Sequence, residues 1–383
     1  MDERPSFDEF RYVDEPEHWT FAGPSLASAR VVAVDTEADS MHSYFEKVCL
    51  VQVATDGGEA YVFDPLALAD LEPLRAPLAD PGVVTVFHGA DFDVVSLRRD
   101  FGFRFAEIFD TMVASQLLGD EKLSLRDLVE RFFGVVLEKA HTRTDWGRRP
   151  LSREQLLYSY LDVAYLVELA GIQQERLEEA DLLDEARIEF DRLAEREPAP
   201  RGFDPHGWLR VKGSRDLAPQ QQAVLHEVFA VRDRHARQLD RPAFKVLGND
   251  PLLRIARHLP QTRDDLRAIR GLSSYVTGRM AQELLDAVRR GIDCGGPPPR
   301  PRTPSDPTRR MDPHAQKRLG RLRDWRNEAS ARFGVTTLAI LPNYAMFDVA
   351  RDRPRSPEEL ERIPGVGPRR VEKWGREILG LLR

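Results

Sequence analysis

Short apolar runs, cut by turn chemistry, dominate the first ~180 positions of the chain. VVAVD (31–35) predicts a buried strand, and VCLVQVA (48–54) and EAYVFD (59–64) predict two more, with Asp56-Gly57-Gly58 turning the chain between them. Such close spacing predicts an antiparallel meander. VVTVFH (83–88) is a further strand, followed by the helix-patterned DFDVVSLRRDFG and the short strand FAEIFD (105–110). Helices are expected to begin near Asp110, Ser124 and Ser152, each of a type that caps a helix N-terminus. A meander followed by alternating strands and helices predicts a mixed sheet flanked by helices.

Beyond this region the pattern changes to helical spacing with almost no β-branched runs. REPAPRGFDPHG (196–207) reads as a linker, and CGGPPPRPRTPSDP (294–307) as a stronger one, because its prolines impose extended geometry. Around the second linker lies an internal repeat. An offset of 94 residues aligns Leu247, Asn249, Ala256, Arg257, Pro260, Leu266, Ile269, Gly271 and Glu283 with Leu341, Asn343, Ala350, Arg351, Pro354, Leu360, Ile363, Gly365 and Glu377. Two copies are too few for a solenoid, so two small helical modules in tandem are expected. The expected boundaries are 1–197 for the α/β domain, 208–293 for the first module, 294–307 for the Pro-rich linker and 308–383 for the second module.

The net charge of −7 conceals an asymmetry: residues 1–200 carry 41 Asp/Glu against 20 Lys/Arg, and residues 201–383 carry 22 against 36. A basic half suits a polyanion and an acidic half suits metal ions, although solvated surfaces of opposite sign give the same count. The two cysteines, Cys49 and Cys294, form neither a disulfide framework nor a zinc-finger spacing. No apolar run approaches the ~20 residues that span a bilayer, and the acidic start MDERPSFDEF lacks a signal core. A cytoplasmic protein, independent of membranes, is expected.

The chemistry lies in carboxylates. Asp35 and Glu37 are two positions apart at a strand end, so both side chains leave the same face and repel unless a cation holds them. Asp93, in FHGADFDVV, lies in the first turn of a helix, where the dipole tolerates negative charge. Tyr158 and Asp162, in YSYLD, are four apart on one helical face. Asp39 and Asp110 are nearby acids with plainer readings, a loop residue and a helix cap. Asp91 is expected to cap the helix that carries Asp93, and His88 to serve as a structural hydrogen-bonder.

D-T-E on a first strand, H-G-A-D-F-D after a later one, and Y-x-x-x-D on a helix together resemble the three motifs of the DEDD superfamily of 3′→5′ exonucleases, in its tyrosine-bearing branch. KAHTRTDWGRRPLSREQLLYSYLDVAYL (139–166) is similar to ribonuclease D, and the twin C-terminal modules resemble the HRDC domain. The resemblance covers the chain from about residue 10 to its end. It implies an RNase H-like exonuclease domain followed by two all-α HRDC bundles. It also implies two divalent ions, Mg²⁺ or Mn²⁺, on Asp35, Glu37, Asp93 and Asp162, with Tyr158 orienting a water. Oxygen donors without a His or Cys cluster suit these hard cations. Ala38 departs from the pattern, since many relatives carry an aromatic residue there.

The activity implied is release of nucleoside 5′-monophosphates from RNA 3′ ends, in trimming tRNA precursors and other structured RNA, by a monomeric enzyme. A DNA 3′→5′ exonuclease and a catalytically idle RNA-binding adaptor are the rival readings. Lys139, Arg143, Trp146, Arg148 and Arg149 form a basic, aromatic loop suited to phosphate contact and base stacking, although Trp146 could equally anchor the loop in the core. Pro364-Gly365-Val366-Gly367, followed by Arg369, Arg370 and Lys373, looks like a helix-hairpin-helix turn that grips phosphate. The alternative is a turn that closes a bundle and meets protein.

Overall fold

The structure, a computed structural model, describes residues 10–68, 70–138, 144–199, 201–298 and 311–383. These fall into two units, one within Met1–Ala38, Val48–Pro198 and Ser305–Arg383, the other within Asp39–Lys47 and Ala199–Pro304.

The first unit is built on a six-stranded sheet. Its elements are β1 (Arg11–Val13), α1 (Trp19–Ser28), β2 (Val31–Ala38), β3 (Val48–Thr55), β4 (Ala60–Phe63), α2 (Glu72–Ala79), β5 (Val84–Phe87) and α3 (Asp91–Phe101). They continue with β6 (Glu107–Asp110), α4 (Thr111–Leu118), α5 (Leu125–Phe133), α6 (Arg153–Ala164), α7 (Leu166–Glu179) and α8 (Leu183–Ala194). The strand order is β1-β4-β3-β2-β5-β6. β4, β3 and β2 form the expected antiparallel meander, and β2, β5 and β6 run parallel. β1, which the apolar pattern does not predict, adds parallel to β4.

β3 is buried at all eight positions. β2 lies between β3 and β5, so its register is fixed on both edges. The helix starts anticipated from sequence are present as true caps: Asp110 accepts from the amides of Met112 and Val113, Ser124 from Asp127, and Ser152 from Gln155. Gln155 returns a bond to the Ser152 amide, closing a capping box at the start of α6. The loop before α6 is pinned by Arg149, which donates Nη2 to Asp64 at 2.7 Å and to the Cys49 carbonyl at 2.9 Å.

In the second unit, α9 (Pro219–Gln238), α10 (Ala243–Val246), α11 (Asn249–His258), α12 (Arg263–Ala268), α13 (Ser274–Gly278) and α14 (Ala281–Asp293) surround a core of its own. Residues 39–47 belong to this unit, where the Tyr44 hydroxyl donates to Asp233 and the amides of Tyr44 and Phe45 donate to Asp240. The last module repeats the plan with α15 (Pro313–Phe333), α16 (Thr337–Ile340), α17 (Asn343–Asp352), α18 (Pro357–Glu361) and α19 (Gly367–Leu381). The 94-residue offset reaches into the two cores. Arg232 donates to the Leu247 carbonyl, and Arg326 donates to the Leu341 carbonyl, each from the long first helix.

The last module belongs to the first unit because it packs on α8. Arg370 is fully buried and donates to the carbonyls of Leu338, Ala339 and Gly365, with Glu189 of α8 at 3.9 Å. The Tyr344 hydroxyl donates to Glu189 at 2.8 Å. Lys373 meets Glu185 at 3.1 Å and Asp181 at 3.2 Å, and Arg369 pairs with Asp181.

Candidate active site

The strand carrying Asp35 and Glu37 continues to Ala38, so the period of two applies and both carboxylates leave one face. α6 lies against β2, β3 and β4, bringing Tyr158 and Asp162 from one helical face. One oxygen from each of Asp35, Glu37 and Asp162 lies within 4.8 Å of the others. Asp93 is buried in the first turn of α3, where its Oδ1 accepts a short hydrogen bond from the Thr36 hydroxyl. Thr36, the middle residue of D-T-E, thus anchors the fourth acid. Sequence reasoning passed over it because a strand threonine carries no chemical signal of its own.

The electrostatics of the site follow from burial that the local hydrogen bonds offset only in part. Desolvation pushes the Asp35 carboxyl far above its ordinary range, and Asp93, Asp162 and Glu37 add to the effect. Burial, then Asp162 and Asp93, raise Glu37 to about 9. Burial and Asp93 raise Asp162 to about 7, and burial raises Asp93 to about 6 against the opposing Thr36 bond. Among the described residues none of the four has an ion-pair partner. Three clustered oxygen donors, with Asp93 close enough to repel them, fit a divalent cation of hard character. The Tyr158 phenol is driven upward by burial and then by Asp162, Glu37 and Asp35, so it stays protonated and acts as a donor.

Raised carboxyl pKa values give a sign. The contribution of such groups to stability is complete below their unfolded values near ~4 and is lost as pH rises through the folded ones. Here that window reaches from about 6 at Asp93 through about 7 at Asp162 to about 9 at Glu37. A bound divalent ion offsets the loss. The Tm difference between Mg²⁺ and EDTA is therefore expected to grow from pH 6 to pH 9. At ~100 times Kd it reaches roughly 2.7 kcal/mol, or about 5–10 °C by differential scanning fluorimetry. A difference independent of pH would show that these carboxylates do not hold the ion.

The neighbouring residues sort clearly. Trp146 is 2 % exposed and stacks on Tyr158 with ring centroids 6.2 Å apart, so it supports the tyrosine and leaves no face for a base. Lys139 and Arg143 lie outside the described residues. The turn of the last module is committed to protein. Arg370 has no surface, Arg369 and Lys373 face the acids Asp181 and Glu185, and a Cβ on Gly365 or Gly367 would strike Tyr344 or Ile188. The phosphate-gripping reading of Arg369, Arg370 and Lys373 is thereby corrected, because charge spacing alone cannot tell a phosphate from a carboxylate of the same chain. Asp91 does not cap α3: Ala90 occupies the cap position and Asp91 pairs with Arg196. Asp39 is held by Lys47 and Ser43, and His88 bonds Thr111 at 2.9 Å.

The chain has clear relatives. Residues 10–178 match the 3′-5′ exonuclease family, and residues 221–288 and 315–382 each match the HRDC domain. A ribonuclease D from Nitrobacter hamburgensis is 34% identical over 273 residues, covering 70% of both chains. A ribonuclease D from Acidiphilium cryptum is 30% identical over 312 residues, covering 79% of this chain and 78% of its own. The crystal structure of Escherichia coli RNase D shares the fold, with a TM-score of 0.69 at 22% identity, covering 97% of this chain and 98% of that one. With the acids of D-T-E, Asp93 and Tyr158-x-x-x-Asp162 brought to one end of the sheet, these matches carry the assignment: the chain belongs to the ribonuclease D family.

Proposed function

We propose that the protein hydrolyses the terminal phosphodiester at RNA 3′ ends, releasing nucleoside 5′-monophosphates with the help of two divalent ions, Mg²⁺ or Mn²⁺. The observation that most supports this reading is the convergence of Asp35, Glu37 and Asp162 within 4.8 Å, one helical turn from Tyr158. Asp35, on the central strand, would be the shared ligand. Glu37 and Asp162 would complete one ion site, and Asp93, held by Thr36, would serve the other. Ions at such a site supply an activated water and neutralise charge on the leaving 3′ oxygen. Tyr158, kept as a neutral phenol, donates a hydrogen bond that aligns the attacking water with the phosphorus. The water oxygen bonds to phosphorus as the P–O3′ bond breaks, and the leaving O3′ takes up a proton, so the penultimate nucleotide gains a free 3′ hydroxyl for the next cycle.

An idle adaptor has no use for four repelling carboxylates, which weigh against folding unless a cation is bound. The reading extends to trimming of tRNA precursors and other structured RNA by a monomer in the cytoplasm. Cys49 and Cys294 form no disulfide, which suits a reducing compartment, and no helix among the described residues is long and apolar enough to cross a membrane. Matched RNA and DNA oligonucleotides with 5′ labels test the substrate. RNA is expected to shorten at least about tenfold faster, a difference of ~1.4 kcal/mol. Faster shortening of DNA would overturn the assignment.

A further inference from the structure

Gln52 stands in the middle of β3, a strand otherwise composed of Val48, Cys49, Leu50, Val51, Val53, Ala54 and Thr55. Its side chain is fully buried, and among the described residues neither Oε1 nor Nε2 has a hydrogen-bond partner. An unpartnered buried amide costs about 1–3 kcal/mol, and methionine or leucine would fill the same space without that cost. The position of the residue suggests what the amide is for. Gln52 is the register partner of Asp35 across the antiparallel β2–β3 pair. Directly opposed residues of such a pair project from the same face, with Cβ atoms ~4.5–5.5 Å apart. A glutamine side chain spans that gap.

We infer that Gln52 is a positioning residue for Asp35: once Asp35 holds a divalent ion, the Gln52 amide Nε2–H donates a hydrogen bond to the Asp35 carboxylate and fixes its rotamer. The inference rests on the metal-dependent reading above. Carboxylates that ligate metals are themselves held by hydrogen bonds, and loss of such a partner costs ~10–100-fold in metal affinity or activity. A bond to an ionised acceptor is about twice as strong as a neutral one. The two adjacent facts, an amide without a partner and a ligand that takes a backbone hydrogen bond from Thr36 but has no side-chain donor among the described residues, thus resolve each other in the loaded state.

The test uses Gln52→Met, which keeps the length of the side chain and removes both polar atoms, in the full chain. Mn²⁺ affinity is read from the electron paramagnetic resonance signal of free Mn²⁺, alongside Tm in EDTA and kcat and KM on a 3′-tailed RNA. The expected result is a Tm in EDTA at or above that of the wild type, Mn²⁺ affinity lower by ~10–100-fold, and a lower kcat with unchanged KM. Wild-type Mn²⁺ affinity and kcat in the folded variant would overturn the inference, since an amide used only for packing leaves both untouched. If Gln52→Met does not fold, Gln52→Leu takes its place. Failure of both to fold would also overturn it, because the amide would then be needed for the strand itself. Failure of the underlying reading looks different: the wild-type protein would bind no Mn²⁺, and Asp35→Asn would change nothing.

Discussion

Asp35→Asn is expected to lower nucleotide release by at least about 10³-fold while leaving RNA affinity within about twofold. The reason is geometric and electrostatic together. Asparagine keeps the shape of the side chain on the central strand, so the fold and the RNA-binding surface persist. It removes the one charge that is coupled to Asp93, Asp162 and Glu37 at once. A metal site that loses its shared ligand loses several kcal/mol of charge stabilisation in the transition state, and each ~1.36 kcal/mol is tenfold in rate. Single-turnover cleavage under enzyme excess separates the chemical step from binding, and fluorescence anisotropy reports binding alone. Because one of four repelling acids is gone, the variant should also melt higher than the wild type in EDTA. Activity within tenfold of wild type would show that Asp35 is not a metal ligand.

The second large effect concerns stability. Arg370→Ala is expected to destabilise the last module by about 3–5 kcal/mol, the usual cost of breaking a buried charged network. The guanidinium serves three carbonyls, those of Leu338, Ala339 and Gly365, and lies beside the buried Glu189. Truncation leaves the three carbonyls without this donor and removes the positive charge beside Glu189, which keeps the Tyr344 hydroxyl. Arg370→Lys should not restore stability, because one ammonium cannot reproduce a planar fork aimed at three oxygens. Urea denaturation followed by tryptophan fluorescence suits the measurement, since Trp325 and Trp374 both pack in this module. If Arg370 gripped phosphate instead, the variant would unfold normally, and its RNA affinity would show a shallower salt dependence.

The two outcomes mark where sequence reasoning succeeds and where it stops. Asp35 with Glu37 and Tyr158 with Asp162 were legible because regular strands and helices impose fixed periods, two and 3.6, on what shares a face. The caps Asp110, Ser124 and Ser152 were legible because capping is decided within four residues of chain. Arg370 was misread because its partners include Glu189, far along the chain, and a basic turn carries no mark of the surface it will meet. β1 was missed for a related reason: three residues show no usable alternation, and its parallel pairing with Tyr61–Phe63 is non-local. Asp91 shows the limit of cap reasoning, because a shift of one residue gives the position to Ala90 and frees the acid for Arg196.

Asp110 links more of the chain than a helix cap requires. Its carboxylate accepts from Met112 and Val113 at the start of α4 and also from Gly89 and Ala90 at the start of α3. Thr111 beside it donates to the Phe87 carbonyl at the end of β5. A buried carboxylate with only half of these donors would be costly, so neither half of this β-α-β-α segment gains much by forming first. An acid outside the proposed metal site therefore ties together the elements that carry part of it. The helix start that delivers Asp93 and the strand end that carries Asp110 are expected to form together, with hydrogen-exchange protection rising in both at once.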